Sequence, residues 1–377
     1  ISANITTTGN QTYTGAVTIN SDVTLAGASI TSQAALNGAT RNLTITGNAV
    51  FGGAVTVASL GVSGTTSLGA NITTSGNQTY SGAVSLAADA TLATSSNGNI
   101  TLGASVNGAR ALTINTHGTG DVTITGALGN STPLTGLTIT TDVLNAAALT
   151  LAGNGAISIT NAGASTISGI IAGSGVALTK AGAGTLTLSG NNTYTGTTSI
   201  NTGTLSLTGT LSNSTAVTVA SGATYSVGAN ATIASLAGAG SVNLNSFTLT
   251  TGSNTDTTYS GVMSGTGSLT KQGSGTFTLT GANTYTGTTT ISAGTLVLSG
   301  SLANATAVVM SGSGVLDLQS GQTIASLTMA DANRIVNSAG SSSLTVSGAA
   351  TLANSITTTG PQTYSGAVAI ASNTTLS

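Results

Sequence analysis

Several residue types are scarce or missing in this 377-residue chain. It has no Cys, which excludes a disulfide-stapled scaffold and a thiolate zinc site. Charged residues make up 3% of the chain, against about 25% in an ordinary soluble domain, and none of the seven acidic residues is Glu. Without basic clusters, the chain is not expected to bind nucleic acid. No segment approaches the roughly 20 continuous apolar residues of a membrane helix, so we expect no membrane insertion.

Short apolar–polar–apolar triplets fill the chain instead. Examples are Val17-Thr18-Ile19, Leu112-Thr113-Ile114 and Leu186-Thr187-Leu188, and Gly, Asn or Ser separates such triplets. Alternation with a period of two is typical of strands with one buried face. The mean hydropathy of +0.36 is too high for a disordered chain. The sequence therefore predicts an all-β protein.

Longer internal repeats lie above this alternation. One family, which begins "ITTTGNQTYTGAV", occupies residues 5–25, 72–92 and 356–376. A second, of about 91 residues, occupies 165–256 and 257–347. Self-similarity of this kind indicates a solenoid. We predict a right-handed parallel β-helix with short strands and roughly 20–25 residues per coil, running through 1–377 as one continuous β-solenoid.

The shortage of charge fits this architecture. In a stacked parallel sheet, equivalent residues lie directly above one another. Like charges would repel at that distance, whereas stacked Thr and Asn can form hydrogen-bonded ladders. Thr, Ser and Asn are therefore expected on the outside and Val, Ile, Leu and Ala in the core.

Six of the seven tyrosines fall in the tetrapeptide Thr-Tyr-(Thr or Ser)-Gly. We interpret the tetrapeptide as a structural corner, in which Gly takes a positive φ and Tyr packs against the next coil with its hydroxyl at the surface. The alternative is a row of tyrosines that stack on sugar rings, which their irregular spacing disfavours. The predicted corner residues are Tyr13, Gly15, Tyr80, Gly82, Tyr194, Gly196, Tyr259, Gly261, Tyr285, Gly287, Tyr364 and Gly366.

The second repeat has a more specific signature, "LTKxGxGTxTLxGxNTYTGTTxIxxGTLxL", at 178–207 and 269–298. It resembles the autotransporter-associated β-strand repeat, also called the passenger-associated transport repeat. The rest of the chain is similar, more loosely, to filamentous-haemagglutinin-type bacterial surface proteins. The resemblance implies a secreted passenger that forms a β-helix on a bacterial surface. Lys180 and Lys271 occupy the same position of the repeat, so we expect a structural role for both, such as clamping turn carbonyls.

Residues with catalytic or metal-binding chemistry are sparse. The single histidine, His117, and Asp121 share one Gly-rich turn, a poor geometry for a nucleophile–His–Asp site. The Asp residues form no local pair, as a glycosidase would need, although stacking could still bring two together. "GTGD" at Gly118–Asp121 is a single fragment of a calcium-binding β-roll repeat. We predict no enzyme activity and no cofactor, with calcium left as an open alternative.

These features predict a structural, extracellular β-solenoid of a bacterial surface or matrix fibre, with adhesin-like or biofilm-matrix relatives. Its expected partner is itself, end to end or laterally, because neither end of the chain resembles the polar cap of a solenoid and low net charge favours association. Two alternatives remain: a glycan-binding adhesin stalk, and an ice-binding solenoid with ranked Thr-x-Thr.

Overall fold

The computed structural model describes all 377 residues. Every regular element is a strand, and no helix long and apolar enough to cross a membrane occurs. The chain divides into two compact units, Ile1–Gly196 (the N-terminal unit) and Thr197–Ser377 (the C-terminal unit). The two units together hold about 19 coils of about 20 residues. Continuity of one solenoid through 1–377 stays a prediction.

The N-terminal unit contains twenty-two strands. They are β1 (Ile5–Thr6), β2 (Gln11–Tyr13), β3 (Val17–Thr18), β4 (Val23–Ser32), β5 (Leu36–Phe51), β6 (Val55–Val62), β7 (Thr66–Leu68), β8 (Ile72–Thr74), β9 (Gln78–Tyr80), β10 (Val84–Leu86), β11 (Ala90–Thr94), β12 (Ile100–Leu102), β13 (Val106–Asn107), β14 (Ala111–Asn115), β15 (Val122–Ile124), β16 (Leu134–Thr141), β17 (Leu144–Ala146), β18 (Leu149–Asn161), β19 (Ser165–Ile167), β20 (Ile171–Ala172), β21 (Ala177–Ala181) and β22 (Thr185–Leu188).

The C-terminal unit contains twenty-three strands. They are β23 (Thr198–Ile200), β24 (Thr204–Leu207), β25 (Ala216–Val219), β26 (Thr224–Val227), β27 (Ala231–Ile233), β28 (Ser235–Gly238), β29 (Ser241–Asn243), β30 (Thr248–Thr251), β31 (Thr257–Tyr259), β32 (Met263–Ser264), β33 (Ser268–Lys271), β34 (Thr276–Leu279), β35 (Thr289–Ile291), β36 (Thr295–Leu298), β37 (Ala307–Met310), β38 (Val315–Leu318), β39 (Gln322–Ile324), β40 (Ser326–Thr328), β41 (Arg334–Val336), β42 (Leu344–Val346), β43 (Ala350–Ile356), β44 (Gln362–Tyr364) and β45 (Val368–Leu376).

Each strand pairs in parallel with the equivalent strand one coil away. In the N-terminal unit, β8, β11, β14 and β16 stack through Ile72, Leu92, Ile114 and Ile139. In the C-terminal unit, β34, β36 and β38 stack in the same way. This ladder satisfies the backbone groups of each coil with those of its neighbours. The parallel β-solenoid expected from the repeats is confirmed.

The core is a stack of aliphatic side chains inside the coils. In β15, for example, Val122 and Ile124 are buried while Thr123 between them points outward. The apolar–polar–apolar triplet thus places its outer residues in the core, as alternation along a strand requires. Outward threonines stack on one another, as Thr91 does on Thr113.

Coil length covers a wider range than the predicted 20–25 residues. Asn48 contacts Thr65, 17 residues on, in the coils around β5 and β7. Around β16 the step is longer: Asn107 Oδ1 accepts hydrogen bonds from the backbone N–H groups of Ser131 and Thr132, 24 and 25 residues on. The additional residues form a surface turn in which Gly129 has a φ of 69°. Strands β14 and β16 still pair in register from Ala111 and Gly136 onward, whereas the pairing of β16 with β18 shifts register between Leu134 and Gly136.

Candidate functional site

The first family of tetrapeptides is anchored by a glutamine two residues before the tyrosine. In the copy at 72–92, Tyr80 is fully buried, and its hydroxyl donates to Oε1 of Gln78 over 3.0 Å. Gln78 Nε2 in turn donates to the carbonyl of Ala93 in the next coil over 2.7 Å. Since both polar groups lie in the core, each must find a partner there. The pair ties two coils together from the inside.

The same anchor occurs in the other two copies of this repeat. Tyr13 donates to Oε1 of Gln11 over 2.8 Å, and Tyr364 donates to Oε1 of Gln362 over 3.1 Å. Gln11 Nε2 also donates to the carbonyl of Ala26 over 2.7 Å. Tyr13 and Tyr364 are half-buried. The motif Gln-Thr-Tyr therefore builds one device three times.

The tyrosines of the second repeat are also buried, but other groups accept from them. Tyr259 donates to the carbonyl of Gly240 over 2.7 Å, and the hydroxyls of Tyr285 and Thr289 are 2.6 Å apart. Tyr194 is fully buried as well. Burial raises the pKa of Tyr80, Tyr259 and Tyr285 because the phenolate would lose its hydration.

The predicted position of the tyrosine hydroxyls at the surface is therefore wrong for the four tetrapeptide tyrosines that are fully buried, Tyr80, Tyr194, Tyr259 and Tyr285. A ring inside the core also cannot stack on a sugar, so these residues form no carbohydrate stripe. Equivalent tyrosines do not even share a face. Tyr13 lies in the stack that continues through Ser32, whereas Tyr80 pairs with Leu102 in a different stack of the same unit.

The predicted positive φ of the tetrapeptide glycines is wrong too. None of the six belongs to the glycines with left-handed backbone. The requirement for glycine comes from close approach of the coil beneath. A Cβ at Gly82 would overlap the carbonyl oxygen of Gly64, and one at Gly261 would overlap that of Gly240; Gly15 is the exception, with nothing within 4 Å. The same overlap occurs at Gly196, Gly287 and Gly366.

Two buried lysines mark the second repeat. Lys180 and Lys271 are 0% and 1% exposed. Lys271 Nζ donates to the carbonyls of Gln272, Gly273 and Ala293 over 2.8, 2.8 and 3.1 Å. Lys180 Nζ donates to those of Ala181 and Gly182 over 2.7 and 2.8 Å. The expected carbonyl clamp is confirmed.

The electrostatics of the lysines follow from their burial. Desolvation lowers the pKa of Lys180 to about 8. It also lowers the pKa of Lys271, where the negative charge of Asp256 acts in the opposite direction. The carbonyl oxygens supply partial negative charge in place of a full counter-ion. Each ammonium therefore crosslinks a turn rather than offering a reactive amine to solvent.

The signature asparagines of this repeat link adjacent coils. Asn283 Oδ1 accepts from the backbone N–H of Met263 over 3.0 Å, and its Nδ2 donates to the carbonyl of Gly281 over 3.0 Å. Asn192 makes the equivalent bonds to Ile171 and Gly190, both 2.9 Å. Both side chains are buried. Their conserved bonding pattern between the two copies explains why the repeat keeps Asn there.

Sequence reasoning missed a second set of Asn and Asp side chains that bridge coils. Asn77 Oδ1 accepts from the N–H of Asn99, Asn99 Oδ1 from that of Asp121, and Asp121 Oδ1 from that of Val143, each step being 22 residues. The 22-residue spacing of these Asn and Asp residues could have been detected in the sequence. The same bridge occurs in the pairs Asn4–Thr24, Asp22–Asn42, Asn71–Thr91, Asp89–Ala111, Asn230–Thr248 and Asp256–Thr276.

The turn with the single histidine is part of this bridging system. Asp121 is engaged with Val143, and Gly118 takes a φ of 63°. The backbone N–H of His117 donates to Oγ1 of Thr94 over 3.2 Å, and the side chain of His117 is exposed. No three His, Asp or Glu side chains lie close enough together to hold a metal ion. The absence of enzyme activity and of a calcium site stays a prediction.

The comparison with known families agrees with this geometry. The family model described as passenger-associated-transport-repeat matches residues 178–207 and 269–298. No curated protein and no solved structure matches the chain. The matched segments hold both buried lysines, both inward-facing asparagines and two of the buried tyrosines. The chain therefore contains two copies of the passenger-associated transport repeat, the repeat of autotransporter passengers.

Proposed function

We propose that the chain is a structural segment of a secreted bacterial passenger, displayed at the cell surface or in an extracellular matrix. The observation that carries this proposal is the coil-to-coil linkage, which runs through backbone ladders, buried amides and two lysine clamps. The transport repeats support the secreted location. The polar groups of the chain hold its coils together, and the function proposed for the chain is mechanical.

Resistance to proteolysis follows from the same arrangement. Trypsin-like proteases cleave after Lys or Arg, and the chain has five such residues. Lys180 and Lys271 are buried in their clamps, which leaves Arg41, Arg110 and Arg334 on the surface. A surface fibre exposed to secreted proteases would benefit from this distribution.

We also propose that the coils assemble with further coils of the same kind. Strand β45 pairs with β43, and its apolar side chains Val368, Ile370 and Leu376 are 46, 60 and 51% exposed. In the related copy at 72–92, the equivalent Val84 and Leu92 are covered by the next coil. Another parallel coil, from the same or another chain, would complete the ladder and cover these residues.

Electron microscopy at rising protein concentration, starting from dissociated chains, tests the assembly. We expect filaments from the wild-type chain, none from Ile370→Lys, and filaments again from Val262→Lys. Val262 is 40% exposed but lies away from β45, so it controls for a general effect of added charge. Isolated short rods at every concentration would contradict assembly between chains, while the structural role within a longer chain would stand.

A second candidate is ice binding, because outward threonines stack in register. Thr113 pairs with Thr138, and Ser158 pairs with Thr179. The neighbouring row of stacked outward side chains is less uniform, because it contains Asn115 and Ala181 as well as threonines. Thermal hysteresis of the purified chain would support this candidate, and its absence would remove it.

A further inference from the structure

A shallow groove of about 320 Å³ on the N-terminal unit has a composition unlike that of the tyrosine corners. It crosses four successive coils beside the exposed side chain of His117. Its lining contains hydroxyl, carboxamide and imidazole groups, and it has no Lys, Arg, Asp or Glu and no phenyl or phenol ring. None of the functions discussed above uses it.

The rim of the groove holds polar side chains without a partner in the chain. Asn115 pairs in register with Thr140, and Thr140 with Thr160, so their side chains form a rank along the coil axis. Strand pairing spaces the members about 4.8 Å apart. His117, two residues after Asn115, also lines the groove. The rim therefore offers donors and acceptors at regular intervals.

The floor of the groove is different, because its threonine hydroxyls already donate hydrogen bonds within the chain. Thr116 Oγ1 donates to the carbonyl of Gly120 over 2.7 Å, and Thr141 Oγ1 donates to the same carbonyl over 2.9 Å. Their oxygen lone pairs remain available as acceptors. Asn161 is 1% exposed, its Nδ2 donates to the carbonyls of Gly163 and Thr185, and its Oδ1 accepts no hydrogen bond in the chain.

This chemistry selects among ligand classes. Without a cationic side chain the groove has no charge partner for phosphate or carboxylate, and without a phenyl or phenol ring it has no stacking surface of that kind for an aromatic ligand. A ligand must be neutral and must both donate and accept many hydrogen bonds, as the hydroxyls of a sugar do. We propose that the His117 groove binds a neutral saccharide chain that lies along the rank of Asn115, Thr140 and Thr160.

NMR titration of the full chain tests this, because His117 is the only histidine and its Cε1–H gives a single resonance. The probes are cellohexaose, maltohexaose and chitotetraose, with an oligogalacturonate as the anionic comparison. We expect a saturable shift with at least one neutral probe and an affinity near 1 mM, since no aromatic ring contributes. No shift with any of the three neutral probes up to about 10 mM overturns the proposal.

Variants locate the interaction. Thr140→Val keeps the strand-forming shape of the side chain and removes its hydroxyl, and we expect it to weaken binding about tenfold. Asn145→Ala is the control. It changes an outward residue of a second groove of about 300 Å³, which lacks histidine, and should leave the affinity unchanged. Equal affinity for the wild type and Thr140→Val, or an equal response to oligogalacturonate, would also overturn the proposal.

Discussion

The repeat copies at 72–92 and 269–298 contain the same tetrapeptide corner but different polar anchors. Both place a tyrosine in the core and a glycine against the backbone of the coil beneath. The first copy secures its turn with a neutral amide, Gln78, which joins Tyr80 to the next coil. The second buries a charge, Lys271, among three carbonyls. The tetrapeptide is thus the shared steric element, and the polar anchor is what distinguishes the transport repeat.

The largest expected effect comes from removing the charged anchor. Lys271→Met keeps the length of the side chain but leaves three half-buried carbonyls without their donor. We expect the free energy of unfolding to fall by about 3 kcal/mol, measured by chemical denaturation. Arg41→Met, at an exposed position, should change it by less than about 0.5 kcal/mol. Equal effects of the two substitutions would show that the clamp contributes nothing specific.

The pH dependence of stability below pH 10 separates the two anchors, because the lysine titrates there and the glutamine does not. The pKa of Lys180 is about 8 in the folded chain and 10.5 as the ordinary value, so the unfolded chain binds more protons between these limits. Stability should therefore rise from about pH 8, by about 2 kcal/mol at pH 9.5.

Above pH 10 stability should instead fall as the pH rises. Tyrosines ionise in the unfolded chain at that pH, while burial raises the pKa of Tyr80 and Tyr285 in the folded one. Denaturation midpoints at pH 7, 8, 9 and 9.5 measure the rise. Lys180→Met should remove the part of the rise that Lys180 causes and leave the part that Lys271 causes, and an unchanged slope in that variant would mean that another group is responsible.

The glycine tests the element that both copies share. In Gly82→Ala the added methyl group meets the carbonyl of Gly64, a turn residue whose N–H donates to the carbonyl of Gly47 in the coil beneath. We expect a loss of about 2 kcal/mol in the free energy of unfolding. Gly15→Ala is the matched control in the same repeat, because nothing lies within 4 Å of the added atom, and should cost less than about 0.5 kcal/mol. Similar losses at both sites would point to backbone flexibility instead of contact.

Alternation and repeat length were enough to predict the parallel solenoid, because both are properties of the chain itself. The lysine clamp was also predictable, since two basic residues in so uncharged a chain recur at one repeat position. The role of Gly82 was not, because the carbonyl of Gly64 lies eighteen residues away and its approach depends on how coils stack. The predicted surface position of the Tyr80 hydroxyl was wrong for a related reason. Its acceptor, Gln78, is only two residues away, but the sequence does not show that both side chains point into the core.

The smallest expected effect concerns the hydroxyl of that tyrosine. Tyr80→Phe keeps the ring in the core but leaves Oε1 of Gln78 without its donor, which should lower the free energy of unfolding by about 1 kcal/mol. Tyr364→Phe removes the same bond at a half-buried site, where water can replace it, and should have a smaller effect. Chemical denaturation of both variants measures the difference. If the two losses are equal, the contribution of the glutamine–tyrosine pair does not depend on burial, and the core placement of Tyr80 is not what makes its anchor effective.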